Sequence, residues 1–98
     1  MGRKKDIQLT VVQVDSLLDD DLKQDLDYLL KNGVYCSKCD QICKEGVAVE
    51  KVTLNSLNDI VIQGKCMSCN NTVVRTVEFG EDPKFYKLAE EFRYSVEN

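Results

Sequence analysis

Over residues 6–14 apolar positions alternate, with Ile7, Leu9 and Val11 on one side and Thr10, Val12 and Val14 on the other. Successive side chains of a strand point to opposite faces, so this stretch predicts a strand with at least one buried face. The period then changes. Over residues 16–31, Leu18, Leu22, Leu26, Leu29 and Leu30 recur at i, i+4, i+8, i+11 and i+12, the single stripe of an amphipathic helix. Asp15 and Ser16 are its N-cap candidates, and Asp19, Asp20 and Asp21 suit the positive end of its dipole. Lys31, Asn32 and Gly33 suit the other end. Such a leucine stripe reads as core packing before it reads as a partner-binding face.

Further along, Val34 and Tyr35 predict a short strand, residues 46–54 and 60–65 the arms of a hairpin, and residues 72–79 a departing strand. Residues 55–59 form the polar loop between the arms. Val47 and Val49 alternate in one phase, Val52 and Leu54 in the other, and a β-bulge near Glu50 and Lys51 reconciles them. Asp82 is an N-cap candidate and Pro83 then sits at the first helical position, where its missing N–H is harmless. Phe85, Leu88, Ala89, Phe92 and Val96 follow at helical period. The expectation is an α+β fold: a small antiparallel sheet with an N-terminal strand and two flanking amphipathic helices, each packed on the sheet or on the other. One domain over residues 1–98 would divide into a strand and acidic helix (6–33), a ribbon (34–79) and a C-terminal helix (80–98).

A chain of 98 residues, 43% of them hydrophobic, is of ordinary globular composition. So small a domain buries only part of its surface, the situation in which a structural metal is most useful. The five cysteines change the picture accordingly. Cys36 and Cys39 form one C-x2-C pair, Cys66 and Cys69 a second, and 26 residues that read as a hairpin lie between them. A C-x2-C turn aims two thiolates at one ion, and a second pair brought alongside completes a tetrahedral site. Binding at such sites contributes on the order of 10 kcal/mol, comparable to the whole stability of a small domain.

No run of 18 apolar residues occurs, and the first six residues, Met-Gly-Arg-Lys-Lys-Asp, do not lead into an apolar signal region. Asp6 stands where a myristoylation signal needs Ser or Thr. A cytoplasmic setting is therefore expected, where C-x2-C cysteines act as metal ligands more often than as disulfides. An odd number of cysteines also leaves a pure disulfide framework unbalanced.

Two C-x2-C pairs across a hairpin resemble the zinc ribbon, the rubredoxin-like family of two four-cysteine knuckles, over residues 34–79. The resemblance implies one metal ion per chain on Cys36, Cys39, Cys66 and Cys69. It also implies a left-handed residue after each pair, usually Gly; here Asp40 and Asn70 stand there, the side-chain types that tolerate φ > 0 best after Gly. Four thiolates suit Zn(II) and also iron. The iron members carry Gly-Tyr after one pair and Pro within the other, whereas this chain has Asp40-Gln41 and Met67-Ser68, so Zn(II) is the expected cofactor and iron the alternative. Cys43, four residues beyond Cys39, reads as inner lining, with ligand exchange or a redox role as the other reading. Met67 reads as a surface or packing side chain.

Charge bears on the function classes. The formal net charge is −4, and four thiolates around a divalent ion add −2. Within the ribbon, Lys38, Lys44, Lys51, Lys65 and Arg75 are matched by Asp40, Glu45, Glu50, Asp59 and Glu78. The one basic cluster, Arg3-Lys4-Lys5, is terminal. A surface that neutralises phosphates needs a one-sided basic stripe with interleaved aromatics, so direct nucleic-acid binding is disfavoured, though a nucleic-acid-associated ribbon remains the alternative. Catalysis is disfavoured because the chain has no His and a four-thiolate site has no open position for water. What remains is a zinc-stabilised, non-catalytic interaction or regulatory module. Its acidic helix, with Asp15, Asp19, Asp20, Asp21, Asp25 and Asp27, would steer it toward a basic protein partner.

Overall fold

A computed structural model of the chain describes residues 5–97, so Arg3 and Lys4 of the basic cluster lie outside the described residues. The elements are β1 (Ile7–Leu9), α1 (Val11–Leu17), α2 (Asp20–Asn32), β2 (Tyr35–Cys36), β3 (Gln41–Ile42), β4 (Val47–Leu54), β5 (Ile60–Cys66), β6 (Thr72–Val77) and α3 (Pro83–Glu97). A short 3-10 turn, Phe79–Glu81, leads into α3. The α+β expectation holds: a four-stranded antiparallel sheet in the order β1-β4-β5-β6 accompanies the small β2-β3 hairpin.

The N-terminal segment departs from its pattern. The strand stops at Leu9, and the valines that continued the alternation belong to a helix. Thr10 explains the switch: its hydroxyl accepts from the Gln13 N–H at 3.1 Å while the Gln13 side chain accepts from the Thr10 N–H at 2.9 Å. This reciprocal capping box satisfies two otherwise unpaired donors and starts the helix against the strand preference of the β-branched Val11, Val12 and Val14. Val11 and Val12 consequently lie 86% and 74% exposed.

The expected helix over residues 16–31 is likewise divided between two helices, α1 and α2, so that with α3 the described residues hold three α-helices. Leu18 adopts extended backbone and is buried, and Asp19, not Asp15 or Ser16, caps α2 by accepting from the Leu22 N–H at 2.9 Å. Leu17, at the end of α1, and Leu18, in the break, both reach the core. Lys23 pairs with Asp15 at 2.7 Å and ties the two helices.

Burial along β5 alternates, with Ile60, Ile62, Gly64 and Cys66 buried. That inner face carries two hydrophobic clusters. The larger joins Leu9, Leu17, Leu18, Leu54, Ile60, Ile62, Val77, Phe79, Phe85 and Ala89, with the α2 leucines packed against it. The smaller joins Val34, Cys36, Cys43, Cys66 and Val73. Between them the β4-β5 register shifts, leaving Glu50 as the extra residue of a bulge where the two hydrophobic phases met. Opposite the bulge stands Gly64, where a Cβ would come within 2.3 Å of the Ala48 carbonyl oxygen, so only glycine permits this approach. Among the described residues no helix is long and apolar enough to cross a membrane.

Candidate metal centre

The β4-β5 hairpin ends, at its open end, between two tight turns that carry the cysteine pairs. Cys36 lies on β2 and Cys66 closes β5, both fully buried, while Cys39 and Cys69 sit half-buried in the turns beyond them. Each turn is closed by a left-handed residue, Asp40 at φ 55° and Asn70 at φ 64°, the expected positions. Asn70 donates its N–H to the Cys66 carbonyl at 2.7 Å, and Cys66 donates to the Asn71 carbonyl at 2.8 Å. On the first knuckle the Tyr35 hydroxyl donates to Asp40 Oδ1 at 2.5 Å, across the mouth of the β2-β3 turn.

These turns bring the four Sγ atoms within 4.8 Å of one another. Cys36 Sγ lies 3.4 Å from Cys69 Sγ and Cys39 Sγ lies 4.0 Å from Cys66 Sγ. Metal–sulfur bonds of about 2.3 Å in a tetrahedron place sulfurs about 3.8 Å apart, so the cluster has the dimensions of a four-thiolate site. Both of these approaches join cysteines of different knuckles, so the two turns face each other across one site. All five cysteines are free thiols. The residues present could hold a metal ion, which would supply the positive charge that their thiolates share.

The metal-free electrostatics already divide the ligands. The Cys36 thiol lies below its ordinary value, chiefly because the Cys39 backbone N–H donates to its sulfur at 3.5 Å. Burial pushes the Cys66 thiol up, but the N–H groups of Ser68 and Cys69 outweigh it and bring the thiol down to about 6. Cys39 is pushed up to about 12, first by its hydrogen bond with Cys69 and then by burial. Cys66 is thus prepared as a thiolate at neutral pH, Cys36 is shifted in the same direction, and Cys39 holds its proton in the metal-free site.

Cys43 stands outside the four-sulfur group, buried to 1% in the smaller cluster, with burial raising its thiol to about 12. Its N–H donates to the Val34 carbonyl at 2.8 Å, so it anchors the strand entering the first knuckle. Met67 is 61% exposed. One contact to a sulfur had no signal in the spacing: Asn71 Nδ2 reaches across to Cys36 Sγ at 3.8 Å and links the second knuckle to the first.

The other end of the hairpin holds a second constellation that periodicity missed. Arg93 of α3, only 4% exposed, donates from Nε to Asn58 Oδ1 at 2.6 Å, from Nη1 to the Lys5 carbonyl at 2.5 Å, and from Nη2 to the Asn55 carbonyl. Asn58, fully buried at φ 62°, donates from Nδ2 to Glu90 Oε2 at 3.1 Å. Asp59 Oδ1 accepts from the Gly80 N–H at 2.9 Å. The only advance signal was the Asn-rich loop itself, a composition that favours positive φ and local side-chain bonds. Among the described residues no buried side-chain nitrogen or oxygen lacks a hydrogen-bond partner, those of this network included.

Compared with protein-family models, with curated proteins and with solved structures, the chain matches none. The site therefore has to be read from its own geometry.

Proposed function

We propose that this chain is a non-catalytic zinc module of the two-knuckle ribbon class, in which one Zn(II) on Cys36, Cys39, Cys66 and Cys69 locks the open end of the β4-β5 hairpin. The observation that carries this reading is the mutual approach of four thiols from two separate turns to within 4.8 Å. Four sulfurs fill a tetrahedron and leave no position for a reacting water, and the chain contains no His to serve as base. The module acts through protein contacts. Residues 11–32 hold six carboxylates against Lys23 and Lys31 and so carry the whole formal charge of −4, while the remaining charges balance. That asymmetry favours encounter with a basic partner on the α1-α2 side.

Elemental analysis with native mass spectrometry, on protein purified without added metal, tests the reading. One zinc per chain on a colourless protein, with the four ligand cysteines protected from alkylation, is the expected result. Iron with visible absorption would move the site to electron transfer, and a disulfide-linked, metal-free chain would remove the proposal.

A further inference from the structure

The interrupted alternation at the N-terminus leaves a gap in the sheet. β1 pairs only with Val52, Thr53 and Leu54 of β4. Among the described residues no strand covers the same edge of β4 from Val47 to Lys51. The chain that would have continued along it turns into α1 at Thr10 and returns as α2. A groove of about 370 Å3 is enclosed between these helices and the β4 edge. Its walls are apolar: Val14 and Leu18 from the α1 side, Leu26 and Leu30 from α2, and Val49 and Val52 from β4. Asp15, Asp27 and Glu50 also line it, with Lys23 and Lys51. Lys23 is held by Asp15, and Lys31 beside Asp27 makes only an exposed i,i+4 pair, which solvent screens.

We propose that this groove binds an extended segment of a basic partner polypeptide, seating one apolar side chain between α2 and the β4 edge and setting Lys or Arg against Asp27 and Glu50. Three separate features converge on that occupant. The apolar walls need an apolar side chain. The uncovered strand edge presents main-chain N–H and C=O groups, which another main chain answers best. The groove's own lining carries Asp15, Asp27 and Glu50 against Lys23 and Lys51, and with Lys23 held by Asp15 the remaining carboxylates, one of them in the 11–32 segment of net charge −4, favour cationic flanks. The bulge at Glu50 shortens the run of edge available for pairing, so recognition is confined to a short segment and sheet-to-sheet aggregation is discouraged. This inference deepens the protein-contact reading, on which it rests, by naming its site and the class of segment it takes.

The test is an amide NMR titration of the full zinc-loaded chain with three synthetic pentapeptides: Arg at four positions around a central Leu, the same with central Ala, and the Leu peptide with Glu in place of Arg. The expected result is a set of shifts centred on Val14, Leu26, Leu30, Val49 and Val52 with the Arg-Leu peptide, weakening with salt. Its affinity should exceed that of the Arg-Ala peptide about tenfold, the worth of burying the larger side chain. The Glu peptide should not bind. Val49→Lys, at a half-exposed position, should abolish these shifts with zinc content unchanged. Equal binding of the Leu and Ala peptides, with shifts spread along α2, would reduce the groove to a charged surface and overturn the proposal. So would the absence of shifts, or self-association of the chain that occludes the groove. Zinc is assayed on the same samples, so one zinc without peptide binding removes the groove alone, and absence of zinc removes the module reading.

Discussion

The two ends of the β4-β5 hairpin are held by different chemistry. At the open end, Cys66 and the knuckles cluster four thiols that repel one another once ionised and need a cation to become an anchor. At the loop end, Arg93 supplies its own charge and several fixed donors to Asn58, Asn55 and Lys5, so nothing has to be added. Both ends belong to one long hairpin in a small protein, but the loop end joins the larger core through Leu54 and Ile60, whereas the knuckle end packs in the smaller cluster with Cys36, Cys43 and Cys66. With a metal bound on the thiols, order at that end would depend on metal and pH, whereas the guanidinium network needs no added ion. A surface presented by such a molecule would then be supported from the loop end in either state and from the knuckle end in the metal-loaded one.

The largest effect that separates the ends is loss of the metal. Cys36→Ser or Cys66→Ser should abolish tight metal binding, and strong chelation should do the same to the unmodified chain. Hydrogen exchange should then show fast amides around Cys43, Cys66 and Asn70, while Asn58, Asp59 and the buried face of α3 keep their protection. Cys43→Ser should leave one ion per chain. Uniform loss of protection would break the comparison, showing that the metal holds the loop end as well.

Acid should produce the same separation gradually. Cys66 is depressed from 9.0 to about 6 in the fold, so its thiolate contributes stability in full above the unfolded value, and that contribution is lost as pH falls through about 6. Cys39 lies at about 12 in the metal-free site, so it regains a proton on metal release throughout the neutral range. Proton uptake per metal released should be smaller near about pH 8 than near about pH 5, as calorimetry in buffers of different ionisation enthalpy would show. Uptake independent of pH would mean that the second knuckle does not prepare Cys66 as a thiolate.

How far each end was legible depends on how its residues are spaced. Two cysteines three apart must share a turn, so the metal-site candidates stood out by position alone, as did the bulge, where the hydrophobic phase slipped between Val49 and Val52. Arg93 and Asn58 are 35 residues apart, on a helix and a loop; helical spacing from Phe85 and Ala89 puts Arg93 on the buried face, but nothing local supplies the partners that let a guanidinium stay there. The N-terminal segment misled for a different reason. Alternation over residues 6–14 is a real strand signal, but it becomes a strand only where a partner edge stands, and the Thr10-Gln13 capping box ends it after three residues. Side-chain capping bonds are local, yet they compete with strand pairing through energies that periodicity does not weigh.

At the loop end, Arg93→Met should lower the free energy of unfolding by about 3 kcal/mol, because it leaves Asn58 Oδ1 and two backbone carbonyls without donors in a buried setting. Urea melts of the zinc-loaded protein should record this with metal stoichiometry unchanged. Arg93→Lys should recover only part of the loss, since an ammonium cannot reproduce the planar fork that meets acceptors on three segments. Gly80→Ala should damage the same end, its Cβ falling 2.4 Å from the Leu57 carbonyl oxygen and 2.7 Å from Asp59 Oδ1. If Arg93→Met released metal as readily as a cysteine variant, the ends would be one cooperative unit and the contrast would fail.

The finest test concerns a polar contact at the metal end. Asn71 Nδ2 donates to Cys36 Sγ at 3.8 Å, the counterpart in position of the Asn58 bond to Glu90, but its acceptor is a sulfur that a metal would share. A donor to a ligand thiolate spreads that ligand's charge and fixes its direction, and such outer contacts alter metal affinity by about 10- to 100-fold. A single long N–H to sulfur bond belongs at the lower bound, so Asn71→Ala should weaken zinc about tenfold in chelator competition. It should leave urea melts of the metal-free chain unmoved. On that outcome the amide contact at the knuckle end would act through the metal, while those at the loop end act on the fold directly. A melt of the metal-free Asn71→Ala protein that shifted as Arg93→Met shifts would show instead that the knuckles are held by ordinary polar contacts before any ion binds.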